Sequence, residues 1–404
     1  MKKSSYNYLS IGKKNIIFNT NSGAIVNLSQ NELEKYYSNA FSKDELQILN
    51  KQGLYVDDTV DELKTVLERR SAAINNTNEL TFRVFTTSFC NANCSYCFER
   101  NYEKLNMSLE VAHATVTFIN KCIIDTCPQN VRINWFGGEP LLNTNAIDTI
   151  TKGLLSNNIR INYSMVSNCS LINKRIVKKM SDTWHIKQVQ VTLDGFERKY
   201  NIIKNYNDKT IDFYRIIHNI HLLLEENIGV VIRLHYTGDN YRDLSTLIDY
   251  IESEFKGNRI NVYLSSIWDI ENHIGKVSQY SEDEFFRLMI LLVEKGLSSR
   301  KRTFRLFPRY KQCMACSKMS FGILPDGRLI KCAECHTDVV GNIYEGITRP
   351  ETNEKWQYSD LSSECLNCIY LPICWGGCRA GDFTNIEKCI KNKPFIDRML
   401  QYMT

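Results

Sequence analysis

The 404-residue chain predicts an α/β fold: a parallel β/α sheet or open barrel, preceded by a small α+β unit and followed by a cysteine-dense tail. Three observations carry this. Between residues 80 and 300, six apolar strand-like segments alternate with helical ones. Residues 1–75 place three short strand candidates before three helix candidates. Of the 15 cysteines, three fall within Cys90–Cys97 and nine from Cys313 to Cys389.

In the first unit, Tyr6–Ile11 and Asn15–Asn19 read as strands joined by Gly12-Lys13-Lys14. Asn21-Ser22-Gly23 then turns into a third strand at Ala24–Leu28. Ser29 and Glu32 form a capping box for the helix that follows. Ser42 caps a second helix over Lys43–Asn50, closed near Gly53. A third spans Val60–Ala73, with Leu63, Val66 and Leu67 on one face. The order is winged-helix-like.

Beyond Asn75-Asn76-Thr77-Asn78 the strands are Leu80–Thr86, Val131–Phe136, Ile159–Val166, Gln188–Leu193, Val230–His235 and Ile260–Ser265. The helices are Ser108–Ile123, Asn145–Leu155, Ile172–Ser181, Ile211–Glu226, Leu244–Phe255 and Ser281–Gly296. From about Lys301 the pattern breaks into a loop-rich segment too short to bury a large core, which metal clusters would staple. The expected domains are therefore 1–75, 80–300 and 301–404.

Composition excludes several classes. At 43% hydrophobic and 24% charged residues, the chain is not disordered. No apolar run approaches the ~20 residues that span a bilayer. Met1–Asn7 carries two lysines with no apolar stretch behind them, so it does not read as a secretory signal. A cytoplasmic location and no membrane partner are expected. A net charge of +5 without a dense basic block argues against nucleic acid. An odd number of clustered cysteines in a reducing compartment points to metal before disulfides.

Cys90-x3-Cys94-x2-Cys97 follows the first barrel strand directly. Three thiolates on one tight loop can hold three corners of a [4Fe–4S] cubane and leave the fourth iron open. Structural zinc prefers four closed ligands, so zinc is the weaker reading. Gly137-Gly138-Glu139-Pro140 ends the second strand. Its glycines permit close backbone approach to a ligand, and its carboxylate can accept from an ammonium.

Together these motifs resemble the signature of the radical S-adenosylmethionine (SAM) superfamily. The resemblance implies a partial (β/α)6 TIM-like barrel over residues 80–300. It makes Cys90, Cys94 and Cys97 the cluster ligands at which SAM is reductively cleaved, and the resulting radical abstracts a substrate hydrogen. Tyr96 stands where the family carries an aromatic near the adenine. Gly137, Gly138, Glu139 and Pro140 match the motif that holds the methionine amino group. Ser167-Asn168 ends the third strand where the family often has Asn-Gly; Cys169 replaces that glycine, which puts the tight approach in doubt. Thr192-Leu193-Asp194-Gly195 ends the fourth strand and resembles a Leu-Asp-Gly stretch of the family. Arg233 lies on the fifth strand, where a basic residue often meets the SAM carboxylate; a barrel-rim ion pair is the alternative. In parallel β/α architectures ligands bind at the C-terminal strand ends, where all of these positions lie. Tyr236 and Asp269 are open between pocket lining and ordinary packing.

The tail reads Cys316-x10-Gly327-x4-Cys332, then Cys365-x2-Cys368-x5-Cys374-x3-Cys378, with Cys389 beyond. This resembles the seven-cysteine SPASM extension, which implies two auxiliary [4Fe–4S] clusters and three clusters in all. By that resemblance Cys365, Cys368, Cys374 and Cys389 hold the second auxiliary cluster. Cys316, Cys332 and Cys378, with Cys313, hold the first. Two zinc sites are the competing reading. Cys335 is surplus: bystander, alternative ligand or redox-active thiol. Cys122 and Cys127 read as structural or incidental thiols.

The first unit resembles the recognition element of enzymes that mature ribosomally made peptides, where a leader peptide adds a strand to the small sheet. The combination implies a maturase that oxidatively cross-links a precursor peptide. A Cys thioether comes first, because SPASM clusters can bind a substrate thiolate or accept an electron. Carbon–carbon cross-linking and epimerisation follow. Implied partners are the leader-bearing peptide and a low-potential electron donor such as flavodoxin or ferredoxin. An anaerobic sulfatase-maturating enzyme is the alternative substrate class. It resembles the chain only from the radical domain onward, and commonly places Asp after the cysteine matching Cys332, where this chain has Ala333. An iron–sulfur or zinc winged-helix regulator is the alternative of another class.

Overall fold

A computed structural model describes residues 1–154, 159–266, 281–358, 361–380 and 395–403. The chain opens with β1 (Lys2–Lys3), β2 (Asn7–Ile11), β3 (Asn15–Asn19) and β4 (Ile25–Leu28). Next come α1 (Gln30–Ser38), α2 (Lys43–Lys51), β5 (Tyr55–Val56) and α3 (Glu62–Asn75). Both capping boxes form: Ser29 with Glu32 starts α1, and Ser42 with Glu45 starts α2. The antiparallel sheet β2-β3-β4 buries Ile17 and Leu28 against Leu33, Leu49 and Leu54. A separate two-stranded pair, β1 with β5, has too little apolar alternation to be visible in the sequence.

The barrel strands and helices then alternate. They are β6 (Glu79–Thr87), α4 (Leu109–Thr126), β7 (Asn130–Gly137), α5 (Thr144–Leu154), β8 (Arg160–Val166) and α6 (Lys174–Asp182). They continue with β9 (Ile186–Leu193), α7 (Glu197–Lys204), α8 (Phe213–Glu225), β10 (Gly229–Tyr236), α9 (Tyr241–Glu254), β11 (Ile260–Ser266) and α10 (Glu282–Glu294). Strands β6 to β11 are mutually parallel and lie in sequence order, as a partial TIM-like barrel requires. Alternation decides their faces. Phe82, Val84, Ile133, Trp135, Val189, Val191, Ile232 and Leu234 are buried in the core shared with the helices. The intervening Arg83, Asn134, Ser164, Gln190 and Tyr263 are half-buried and polar. Arg83 Nε donates to Asn134 Oδ1 at 3.0 Å, and Asn134 Nδ2 to Ser164 Oγ at 2.9 Å. The inner face of the sheet is thus a hydrogen-bonded polar surface.

The tail holds more regular structure than its loop-rich composition suggests. After α11 (Arg300–Phe304) come β12 (Phe321–Ile323), β13 (Arg328–Ile330), β14 (Val339–Asn342) and β15 (Gly346–Ile347). Strand β12 pairs parallel to β6, and β13 to β15 follow antiparallel, giving a ten-stranded sheet. Strands of two to four residues carry too short a period to show in sequence. The remaining helices are α12 (Pro350–Gln357), α13 (Ser363–Leu366), α14 (Leu371–Cys374) and α15 (Phe395–Met403).

The chain divides into two compact units. One comprises Met1–Asn75, Arg300–Ser317 and Gln357–Thr404; the other comprises Asn76–Ser299 and Lys318–Trp356. The stretch 301–404 is thus shared between them. No helix among the described residues is long and apolar enough to cross a membrane.

Candidate active site

Strand β6 ends in the loop that carries Cys90, Cys94 and Cys97, all half-buried. The Gly-Gly-Glu-Pro turn after β7 is zipped to that loop. Gly138 N donates to Thr87 O at 3.0 Å and Glu139 N to Phe89 O at 2.9 Å. Gly137 has φ +132°, and a Cβ there would lie 2.1 Å from Thr87 O; one on Gly138 would lie 2.3 Å from Phe89 O. The glycines are therefore required by a close approach of backbone to backbone. They admit the backbone of the cysteine loop.

Glu139 is fully buried. Its Oε1 accepts from Ser167 Oγ at 2.9 Å and Leu141 N at 3.2 Å, and its Oε2 from Asn168 N at 2.8 Å. All three donors are neutral. Burial pushes the carboxyl up to about 7, against those bonds and the Lys204 charge. Asn168 also reaches the cysteine loop, donating to Asn91 Oδ1 at 2.9 Å with Cys90 Sγ at 3.8 Å. Cys169, where glycine was expected, adopts φ +62°. The left-handed backbone persists without glycine. Cys169 N donates to Ser167 Oγ at 2.9 Å, and its carbonyl accepts from Asn219 Nδ2 at 2.8 Å.

Tyr96 is held by a buried ionic cluster. Its hydroxyl donates to Asp194 Oδ2 at 2.6 Å and accepts from Lys204 Nζ at 3.2 Å. Lys204 pairs with the same carboxylate oxygen at 2.8 Å, and His235 Nδ1 lies 2.7 Å from Oδ1. The Tyr96 and His235 rings meet edge to face at 4.8 Å. Burial raises Asp194, but Lys204 and His235 outweigh it and hold the carboxyl well below its usual range. Burial likewise pulls Lys204 down, yet Asp194 and Tyr96 keep it above its ordinary value. Burial wins at His235, which drops below its ordinary value, and its Nδ1 faces the carboxylate. Sequence reasoning missed Lys204 and His235. Lys204 ends a helix too short to read, while His235 was open to inference: two residues after Arg233, it shares that face of β10. Thr192 is half-buried one strand over, opposite Arg233 in register. Arg233 Nε is buried without a hydrogen-bond partner among the described residues. Tyr236 is buried and donates to Glu284 Oε2 at 2.5 Å; Asp269 lies outside the described residues.

In the other unit, the Cys313 and Cys316 thiols are hydrogen-bonded to each other. That bond and then, against burial, the Arg70 and Arg379 guanidiniums draw Cys316 below its ordinary value. Cys378 is exposed in the same unit, whereas Cys332 belongs to the barrel unit, where its thiol is hydrogen-bonded to that of Cys335 and both cysteines are free. Cys365, Cys368 and Cys374 are half-buried around α13 and α14; Cys389 lies outside the described residues. Cys122 is buried on α4, and Cys127 is the exposed, left-handed C-cap of that helix.

Among the described residues no three His, Cys, Asp or Glu side chains group to hold a single metal ion. The cysteine loop and its surroundings fit a cluster with SAM. The three thiols share one loop and act on one another. Beside them lies a buried carboxylate, Glu139, bonded only to neutral donors and suited to an ammonium. Cys90, Cys94 and Cys97 would hold the cluster and Glu139 the methionine amine.

The comparisons with known proteins bear on these same residues. The radical SAM superfamily profile matches residues 84–251. An uncharacterized protein of Methanocaldococcus jannaschii, MJ0907, is 28% identical over 41% of this chain and 56% of its own length, so the chain spans little more than half of that relative. The radical SAM cyclopropyl synthase TigE of Paramaledivibacter caminithermalis is 22% identical over 90% of this chain and 81% of its own. Among solved structures, native anSMEcpe with bound AdoMet and Kp18Cys peptide has a TM-score of 0.60 at 20% identity, covering 75% of this chain and 90% of its own. Streptococcus suis SuiB bound to its precursor peptide SuiA has a TM-score of 0.57 at 15% identity, covering 94% of this chain and 95% of its own. The cysteine loop, the parallel strands and the family match fall on the same stretch: over residues 84–251 the chain matches the radical SAM superfamily.

Proposed function

We propose that the chain modifies a ribosomally made precursor peptide, using SAM, and that the modification is an oxidative bond formation removing two hydrogens. The observation that carries the peptide reading is the three-strand, three-helix unit β2–α3 ahead of the radical SAM domain. Its β4 pairs only β3 among the described residues, and an edge of this kind takes an added strand. The SuiB match covers 94% of the chain and the anSMEcpe match 75%, a difference about the size of this unit. Both of those structures hold a peptide.

When bound at Cys90, Cys94 and Cys97, the cluster with SAM supplies the 5′-deoxyadenosyl radical. The residues' own tasks are positional. Glu139 holds the ammonium end, fixed by Ser167 and Asn168. The Asp194, Lys204 and His235 set locks Tyr96, and with it the last turn of the cysteine loop. The polar inner face of Arg83, Asn134, Ser164 and Gln190 offers donors and acceptors to a peptide backbone. The bond we expect is a Cys thioether. Joining S to C from S–H and C–H releases one hydrogen atom, one proton and one electron. The electron needs an acceptor, for which two auxiliary clusters on the tail cysteines are suited. A carbon–carbon bond is the second reading, favoured by the match to the cyclopropyl synthase TigE over 90% of the chain. An electron donor such as flavodoxin or ferredoxin completes the system.

Anaerobic reaction of the loaded enzyme with SAM, reductant and a Cys-containing precursor tests this by mass spectrometry. We expect a product lighter by two hydrogens. A thioether blocks subsequent alkylation of one cysteine, whereas a carbon–carbon bond leaves it alkylatable. A product that loses no hydrogen but takes up one deuterium from heavy water would show epimerisation and contradict bond formation.

A further inference from the structure

Arg70 of α3 is buried, with its guanidinium 4.4 Å from the Trp375 ring and Nη1 donating to Tyr310 O at 3.2 Å. Its Nη2 has no hydrogen-bond partner among the described residues, nor do Nε and Nη2 of Arg379, all of them buried. Both guanidiniums lie beside the Cys316 sulfur, within reach of Cys313, and close enough to repel each other. Two like charges buried together with unused donors are costly unless an anion completes the site. The sulfurs of Cys313 and Cys316 are where that anion would stand. Arg70, Arg379, Cys313, Cys316 and Trp375 all belong to one compact unit.

We propose that Arg70 and Arg379 donate hydrogen bonds to the sulfurs of an auxiliary iron–sulfur cluster held by Cys313 and Cys316, and that Arg70 raises the reduction potential of that cluster. The inference rests on the reading of those cysteines as cluster ligands. A cubane with four thiolates is an anion whose negative charge grows on reduction. A fixed cation beside it therefore favours the reduced form, and hydrogen bonds to sulfur act in the same sense. Arg70 sits on the unit read as the peptide-recognition element. That unit then contributes to the electron-accepting site as well as to binding the leader.

The test uses the full chain with Cys90, Cys94 and Cys97 changed to Ala, loaded anaerobically with iron and sulfide, so that only auxiliary clusters report. Their midpoint potentials are read by electron paramagnetic resonance during a redox titration. Arg70→Gln is expected to lower one midpoint with bound iron unchanged, Arg70→Lys to recover most of the shift, and Arg379→Gln to lower the same midpoint. Unchanged midpoints in both Gln variants at full iron content would overturn the inference. Should Arg70→Gln fail to fold by circular dichroism, Arg379→Gln decides alone. A parent that binds no auxiliary iron refutes the cluster reading itself, before any arginine is changed.

Discussion

Glu139 is the residue whose environment makes the sharpest demands. Its folded-state pKa of about 7 stands above the ordinary carboxylate value of about 4.3. Between those values the folded, ligand-free protein keeps a proton that the unfolded chain has lost. Stability therefore falls as pH rises through this window, by on the order of 3 kcal/mol. Glu139→Gln keeps the shape and removes the charge. Thermal melts of ligand-free protein should show wild type losing stability from pH 5 to pH 8 relative to the variant; parallel curves would refute the buried-charge account. The same variant should bind SAM about 10–100-fold more weakly, the worth of one charge-assisted hydrogen bond, by equilibrium dialysis. Gly138→Ala is a different kind of change. Its Cβ would strike the Phe89 carbonyl, so loss of loaded iron at the cysteine loop is expected. At Cys169 the strain is carried by a non-glycine residue. Cys169→Gly should keep SAM cleavage and fold stability within about 1 kcal/mol, whereas Cys169→Val should lose more in urea unfolding, because β-branched residues resist the left-handed region.

At the scale of elements, the short helix α7 delivers one buried cation to one buried anion. Changing either Lys204→Met or Asp194→Asn alone strands a charge and should cost about 3–5 kcal/mol in chemical unfolding. Changing both should cost less than the sum of the two, and additive losses would show that the pair is not coupled. The elements also show what a sequence discloses. Ser29 with Glu32, and Ser42, announced two helices because capping is local chemistry. The six barrel strands were legible because a strand with one face buried under helices and the other polar alternates with a period of two. Strands β12 to β15 were not, since two to four residues hold no readable period and their pairing with β6 is non-local. Cys90, Cys94, Cys97 and Glu139 were legible as motifs. Lys204, Arg70 and Arg379 were not, because their partners lie far away in sequence; His235 could have been read from its place two residues after Arg233 on β10.

At the scale of the whole molecule, the proposed function requires three parts: a small sheet to take a peptide strand, a barrel to hold SAM, and a cysteine tail to hold further clusters. The barrel is the part on which the other two depend. The most direct measurement is 5′-deoxyadenosine released from SAM by the loaded, reduced enzyme, set against the variant in which Cys90, Cys94 and Cys97 are all Ala. The account predicts release by the wild type and none by the variant, with auxiliary iron still bound. Release that survives in the variant would contradict it.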